Sequence, residues 1–150
     1  QLKDPLDEPE FYRVDGPGAG SGVRLQRPLQ MHTCKLRGAE DEMFTIDEPS
    51  PGQLHMVEYA LCVQAGSAEA ASPLYVRTCS DSPLQRFVFS SDTMIRLRSA
   101  GEDGLCWVVA PGAGMPTGGP SHLRPDLTLQ RCAEAGPALS RWTLPGTAPR

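Results

Sequence analysis

The chain has 150 residues, 39% hydrophobic and 21% charged, with a formal net charge of −4, which suits one domain with a sizeable core. The negative balance offers no basic field for nucleic acid or an anionic lipid surface, and no run approaches the roughly 18 apolar residues that span a bilayer. The 15 glycines and 15 prolines, without a long helical period, argue for many short strands joined by tight turns.

In chain order, the acidic, proline-interrupted residues 1–10 are expected to form a flexible lead. The polar opening at Gln1 fits a mature secreted protein after leader removal, and fits a piece of a longer chain equally well. A first unit, about 11–52, starts with a strand around Tyr12–Val14 and turns through Gly-rich residues to Gly22. It continues with strands at Val23–Leu25, Leu29–Cys34 and Met43–Ile46. A second, about 53–92, holds Leu61–Gly66, Leu74–Cys79 and Phe87–Phe89, and closes at the turn Ser90-Ser91-Asp92. The third, about 93–145, holds the alternating strand Thr93–Leu97, then Leu105–Val109, Leu127–Cys132 and Trp142–Leu144. Its Pro- and Gly-rich stretch Pro111–Pro125 reads as a surface insertion, and 146–150 as a tail.

The units repeat one pattern. Leu29–Cys34, Leu74–Cys79 and Leu127–Cys132 all read Leu-x-apolar-x-x-Cys, with apolar residues two apart as in a half-buried strand. An aromatic follows each cysteine at a nearly fixed offset: Phe44, Phe87 and Trp142. Leu61-Cys62-Val63 recurs as Leu105-Cys106-Trp107. Such self-similarity means one supersecondary unit used three times, with the core closed only when the copies pack together.

The five cysteines form no C-x-x-C pair, so metal spacing is absent and no metal is expected. Their repeat-locked positions favour disulfides and an oxidising compartment. The repeats suggest pairs Cys62–Cys79 and Cys106–Cys132, leaving Cys34 unpaired, as a buried inert thiol or a bridge to another chain. Five reduced cysteines packed as small apolar residues remain the alternative at this level.

A three-fold repeat of about four short strands, each ending near an aromatic, resembles a β-trefoil. Leu61-Cys62-Val63-Gln64, Leu105-Cys106-Trp107-Val108, Gln85-Arg86-Phe87 and Ser140-Arg141-Trp142 resemble, in order, the L-C-x-D and Q-x-W motifs of the ricin-type lectin family. The resemblance implies an all-β, β-trefoil domain over about 11–145, with about 12 strands and few or no helices. It implies within-repeat disulfides that match the two pairs above. Aligning Tyr12-Arg13-Val14-Asp15 with L-C-x-D puts Arg13 where Cys34 would find its partner.

Family members bind galactose-like sugars in one shallow pocket per repeat. They use an aspartate acceptor, amide donors and an aromatic platform. Carried over, the first unit offers Asp15 at the aspartate place, Gln30 at the strand glutamine and His32 at the platform, with Asp41 and Glu42 at the amide places. The second offers Gln64, Tyr75 and Arg77. The third offers Val108, Thr128 and Gln130, and valine accepts no hydroxyl hydrogen bond. The first unit is therefore the expected sugar site, with Gln64, Tyr75, Gln85 and Trp107 as secondary contacts. The plainer reading makes Asp15 a turn residue before Gly-Pro and Gln30 and His32 exposed strand neighbours. For Trp107, an outward sugar-stacking ring and a core ring are both open.

Catalysis has little support. His32, His55 and His122 lack nucleophilic or acidic company, and G-x-S-x-G and H-E-x-x-H are absent. Glu40-Asp41-Glu42 reads as a solvated turn rather than a glycosidase pair, and Gly18-Ala19-Gly20 as turn glycines. The expected function is a secreted or periplasmic, non-catalytic lectin module with no cofactor and partly degenerate pockets. The alternative is a trefoil that has lost sugar binding and serves as a protein-interaction scaffold or toxin-like accessory subunit.

Overall fold

The computed structural model describes residues 12–16, 22–33, 42–101, 104–110, 115–116 and 123–143. The expected lead, the tail, Cys34, Asp41 and His122 lie outside these residues, and His32 is described by its backbone alone. Twelve short strands account for most of the regular structure. They are β1 (Tyr12–Asp15), β2 (Gln30–Thr33), β3 (Phe44–Ile46), β4 (Leu54–Met56), β5 (Leu61–Ala65) and β6 (Leu74–Thr78), followed by β7 (Phe87–Phe89), β8 (Ile95–Leu97), β9 (Leu105–Val109), β10 (Met115–Pro116), β11 (Leu123–Arg124) and β12 (Leu127–Arg131). One four-residue helix, α1, spans Pro137–Ser140.

Strands β3–β4–β5–β6 form one antiparallel sheet and β7–β8–β9–β12 another, while β1–β2 and β10–β11 are two-stranded. Each four-stranded sheet thus joins the last strand of one unit to three strands of the next, the β10–β11 pair of the third unit being left out. The β10–β11 hairpin lies in the Pro111–Pro125 insertion. No strand forms at Val23–Leu25, contrary to the expectation from its apolar pattern. The Arg27 N–H turns back onto the Arg24 carbonyl at 3.1 Å, Pro28 follows with no N–H to offer, and Val23 and Leu25 pack on the core as partly buried side chains.

The repeated motif explains the centre of the molecule. Leu29, Leu74 and Leu127 are fully buried, as are Met31, Val76 and Leu129 two residues on. The i, i+2 period of a strand points these pairs to one side. Backbone bonds then link the three units in turn: Leu29 N to Leu74 O at 2.7 Å, Leu129 N to Ser72 O at 2.8 Å, and Met31 N to Pro125 O at 3.1 Å. No unit closes its own core.

The aromatics complete it. Phe44, Phe87 and Trp142 are buried, and Trp107 meets Phe87 and Trp142 edge-on, with centroids 5.2 and 6.1 Å away. Trp107 is 0% exposed, which corrects the expectation of a sugar contact there: its ring has no face open to a ligand.

The β7–β8 turn is held by charge. Asp92 accepts from both Arg96 guanidinium nitrogens and from the Met94 N–H. The Arg96 hydrogen bond, above all, holds the Asp92 carboxyl down to about 2 against an ordinary 3.8. A carboxyl whose folded pKa is depressed stabilises fully above its unfolded value and loses that contribution as pH falls through the folded one. Urea midpoints measured from pH 5 to pH 2 should therefore fall further in the wild type than in Asp92→Ala. Because Asp92 is 39% exposed, solvent screening keeps the difference under about 1 kcal/mol; parallel curves would remove Asp92 from the acid response.

Candidate functional site

Cross-strand register aligns the three units residue by residue. Asp15 pairs with Gln30, Gln64 with Tyr75, and Val108 with Thr128. Two residues toward the cysteine, Arg13 pairs with His32, Cys62 with Arg77, and Cys106 with Gln130. In the second and third units a disulfide then joins the first-strand cysteine to the residue two beyond its partner. These are Cys62–Cys79 and Cys106–Cys132, with Cα atoms 4.9 and 5.0 Å apart. Arg13 stands at the register place of those first-strand cysteines, and Cys34 follows His32 by the same two residues. The staples hold the strand pair that carries each pocket.

Each unit has a buried polar residue two positions before its aromatic: Glu42, Gln85 and Ser140. Gln85 ends a one-turn 3-10 helix, Pro83–Gln85, whose start is capped by Ser82. Its amide nitrogen donates to Gln64 Oε1 at 3.0 Å and to the Thr78 carbonyl at 2.9 Å. Its amide oxygen accepts from Gln53 Nε2 at 3.0 Å and from the Ser80 N–H at 2.9 Å. Two donors and two acceptor sites are all used, so Gln85 positions Gln64 and has nothing left for a sugar. Glu42 is 0% exposed and likewise does not face a ligand. Both sequence-level assignments are corrected for the same reason: the residue before the core aromatic is drawn inward with it.

In the first unit the strands set Asp15 beside Gln30, both largely buried at 8% and 9% exposed. Of the five residues expected there, these two are brought together, Glu42 is withdrawn, and Asp41 and the His32 side chain are outside what is described. In the second unit Tyr75 is half-buried and the Arg77 guanidinium lies 4.4 Å over its ring, held by bonds to the Leu25 and Val76 carbonyls. A cation–π partner thus occupies one face of the ring. Gly66 lets the other side come close, since a Cβ there would stand 3.1 Å from Tyr75 Cε2.

The third unit holds what the motif did not suggest. A cleft of about 320 Å3 is lined by Val108, Thr128, Gln130, Glu134 and Leu139. Val108 forms its floor, Gln130 Nε2 donates to Thr128 Oγ1 at 3.3 Å, and Glu134 supplies the acceptor that valine lacks. Glu134 follows Cys132 by two, whereas the first unit's acids Glu40, Asp41 and Glu42 come later after Cys34, so the repeat alignment held no signal for it. Among the described residues no three His, Cys, Asp or Glu side chains converge as metal ligands, and no helix is long and apolar enough to cross a membrane.

Three units of short strands around one shared core make this chain a β-trefoil. Among solved structures it is similar to the β-trefoil lectin of the Vibrio vulnificus hemolysin/cytolysin, determined with N-acetyl-D-lactosamine bound. The TM-score is 0.56 at 13% identity, over 95% of this chain and 89% of that one. At that identity the likeness is one of fold. The sequence matches no family model and no curated protein.

Proposed function

We propose that the chain is a non-catalytic carbohydrate-binding module of the ricin-type lectin kind, working in an oxidising, extracytoplasmic compartment and engaging galactose-like sugars through its first unit. The observation that carries the reading is the cross-strand pair Asp15–Gln30 of β1–β2. It sets a carboxylate acceptor and an amide side by side, the two functions a vicinal diol needs. The lectin with N-acetyl-D-lactosamine bound supports the substrate class, and the two disulfides support the compartment.

The test is a glycan array of the oxidised protein beside Asp15→Ala. Losing a charged acceptor removes about 1.5–3 kcal/mol, so retention of the bound glycan should weaken by about tenfold or more in a variant whose circular dichroism shows it folded. Equal retention by the folded variant would remove the first unit from sugar binding. A second reading, a protein-interaction scaffold, is favoured by Gln64 and Val108 at the other two aspartate places and by Arg77 covering Tyr75. A blank array from a folded sample would select it.

A further inference from the structure

The cleft beside the β7–β8 turn, about 550 Å3, lies outside all three repeat pockets and is lined by Val88, Ser90, Asp92, Arg96, Arg98 and Gly101. Val88 and Arg96 are cross-strand partners, Arg98 opens the 3-10 turn Arg98–Ala100 that follows β8, and all three side chains line the same cleft. Arg96 is tied down: its guanidinium reaches Asp92 and, at 2.7 Å, Ser90 Oγ. Arg141 also comes to this turn, donating to the Asp92 carbonyl. Arg96 and Arg141 therefore both bond to Asp92, the first through its carboxylate and the second through its backbone carbonyl, on a chain whose net charge is −4.

Arg98 is the guanidinium left over. It is exposed, and it makes no ion pair among the described residues. It is braced from behind, because its Nη2 would stand 2.7 Å from a Cβ added at Gly52; only glycine lets the guanidinium lie so close, and Gly52 also has φ +84°. The matching hairpin of the first unit pairs Thr45 with His55 and has Val57 in place of Arg98. The arginine face is thus a property of this hairpin and not of the fold.

We propose that this cleft binds the anionic group, sulfate or carboxylate, of an acidic saccharide, with Arg98 as the principal ligand. The anion takes the fork of Arg98, Arg96 contributes a fixed positive edge, and the Ser90 hydroxyl and the partly exposed Val88 meet the sugar ring. That the anion is carried on a sugar rests on the function proposed above; that the cleft takes an anion does not.

The test is calorimetric titration of the whole chain with lactose, 3′-sulfated lactose and 3′-sialyllactose at low salt. At least one acidic probe should bind about tenfold more tightly than lactose, with a preference that fades as salt rises. Arg98→Ala and Arg98→Glu should abolish that preference while leaving lactose binding as it was, and Asp15→Ala should weaken lactose while the acidic preference persists. Tightening with sulfate alone, or with the carboxylate alone, names the group. Acidic probes that bind no better than lactose, or a preference that survives Arg98→Ala in a folded protein, would overturn the proposal and leave the lectin reading standing. Acidic binding without lactose binding would uphold the cleft and reject the first-unit galactose site.

Discussion

Replacing Trp107 by alanine is expected to destabilise the protein by about 3–5 kcal/mol, a large part of the roughly 5–15 kcal/mol that holds a domain together. The indole sits in the middle of β9, opposite Leu129, fully buried and edge-on to both Phe87 and Trp142. Those two aromatics close the second and third units, so the cavity left by truncation opens where units meet. A close-packed interior fills such a space only in part. Trp107→Phe should cost much less. The indole Nε1 is buried without a hydrogen-bond partner among the described residues, and removing an unsatisfied donor recovers part of the packing loss. Urea midpoints and the near-ultraviolet dichroism of the two variants check this. A cost under about 1 kcal/mol for alanine, the usual range for an exposed site, would mean that the ring does not bridge the units.

Substituting Arg13→Cys is expected to add a third disulfide, to Cys34, and to raise stability by about 2–4 kcal/mol. The geometry comes from the two that exist. Cys62 and Cys106 each bond to the residue two beyond their cross-strand partners, Arg77 and Gln130, and Arg13 faces His32 in the same register. The loop closed would be intermediate in length between the native loops of 17 and 26 residues. Peptide mapping under non-reducing conditions would show the bond, and the urea midpoint its effect. A free Cys34 thiol in the oxidised variant would show that the first hairpin departs from the three-fold register beyond β2. The variant also adds a control for the first-unit pocket, since it leaves Asp15 and Gln30 in place.

Much of the fold is legible in the sequence because it is written locally. Leu-x-apolar-x-x-Cys states a strand period and a cysteine offset together, and its three copies give the strand order, the hairpins and both disulfides without long-range information. The places of Asp15, Gln64 and Val108 follow from the same alignment, and register keeps them equivalent. Val23–Leu25 shows the limit of that reading: an apolar alternation is a strand only if another strand stands beside it.

Only tertiary structure decides which way a residue faces when both sides of its strand are covered. All five residues of β9 are buried, so Leu-Cys-Trp-Val-Val shows no alternation, and the run alone cannot say that Trp107 turns toward Phe87 while Val108 floors a cleft. Gln85 and Glu42 look like ligands in a motif and are drawn inward by the aromatics two residues later. Arg98 looks like any surface arginine until Gly52, 46 positions earlier, is found against it and Arg141 arrives at the same turn. Sequence by itself determined the repeat, the strands of its Leu-x-apolar-x-x-Cys motif and the staples, because these depend on neighbours along the chain. The pockets depend on neighbours across it, and those exist only once three copies have closed on one core.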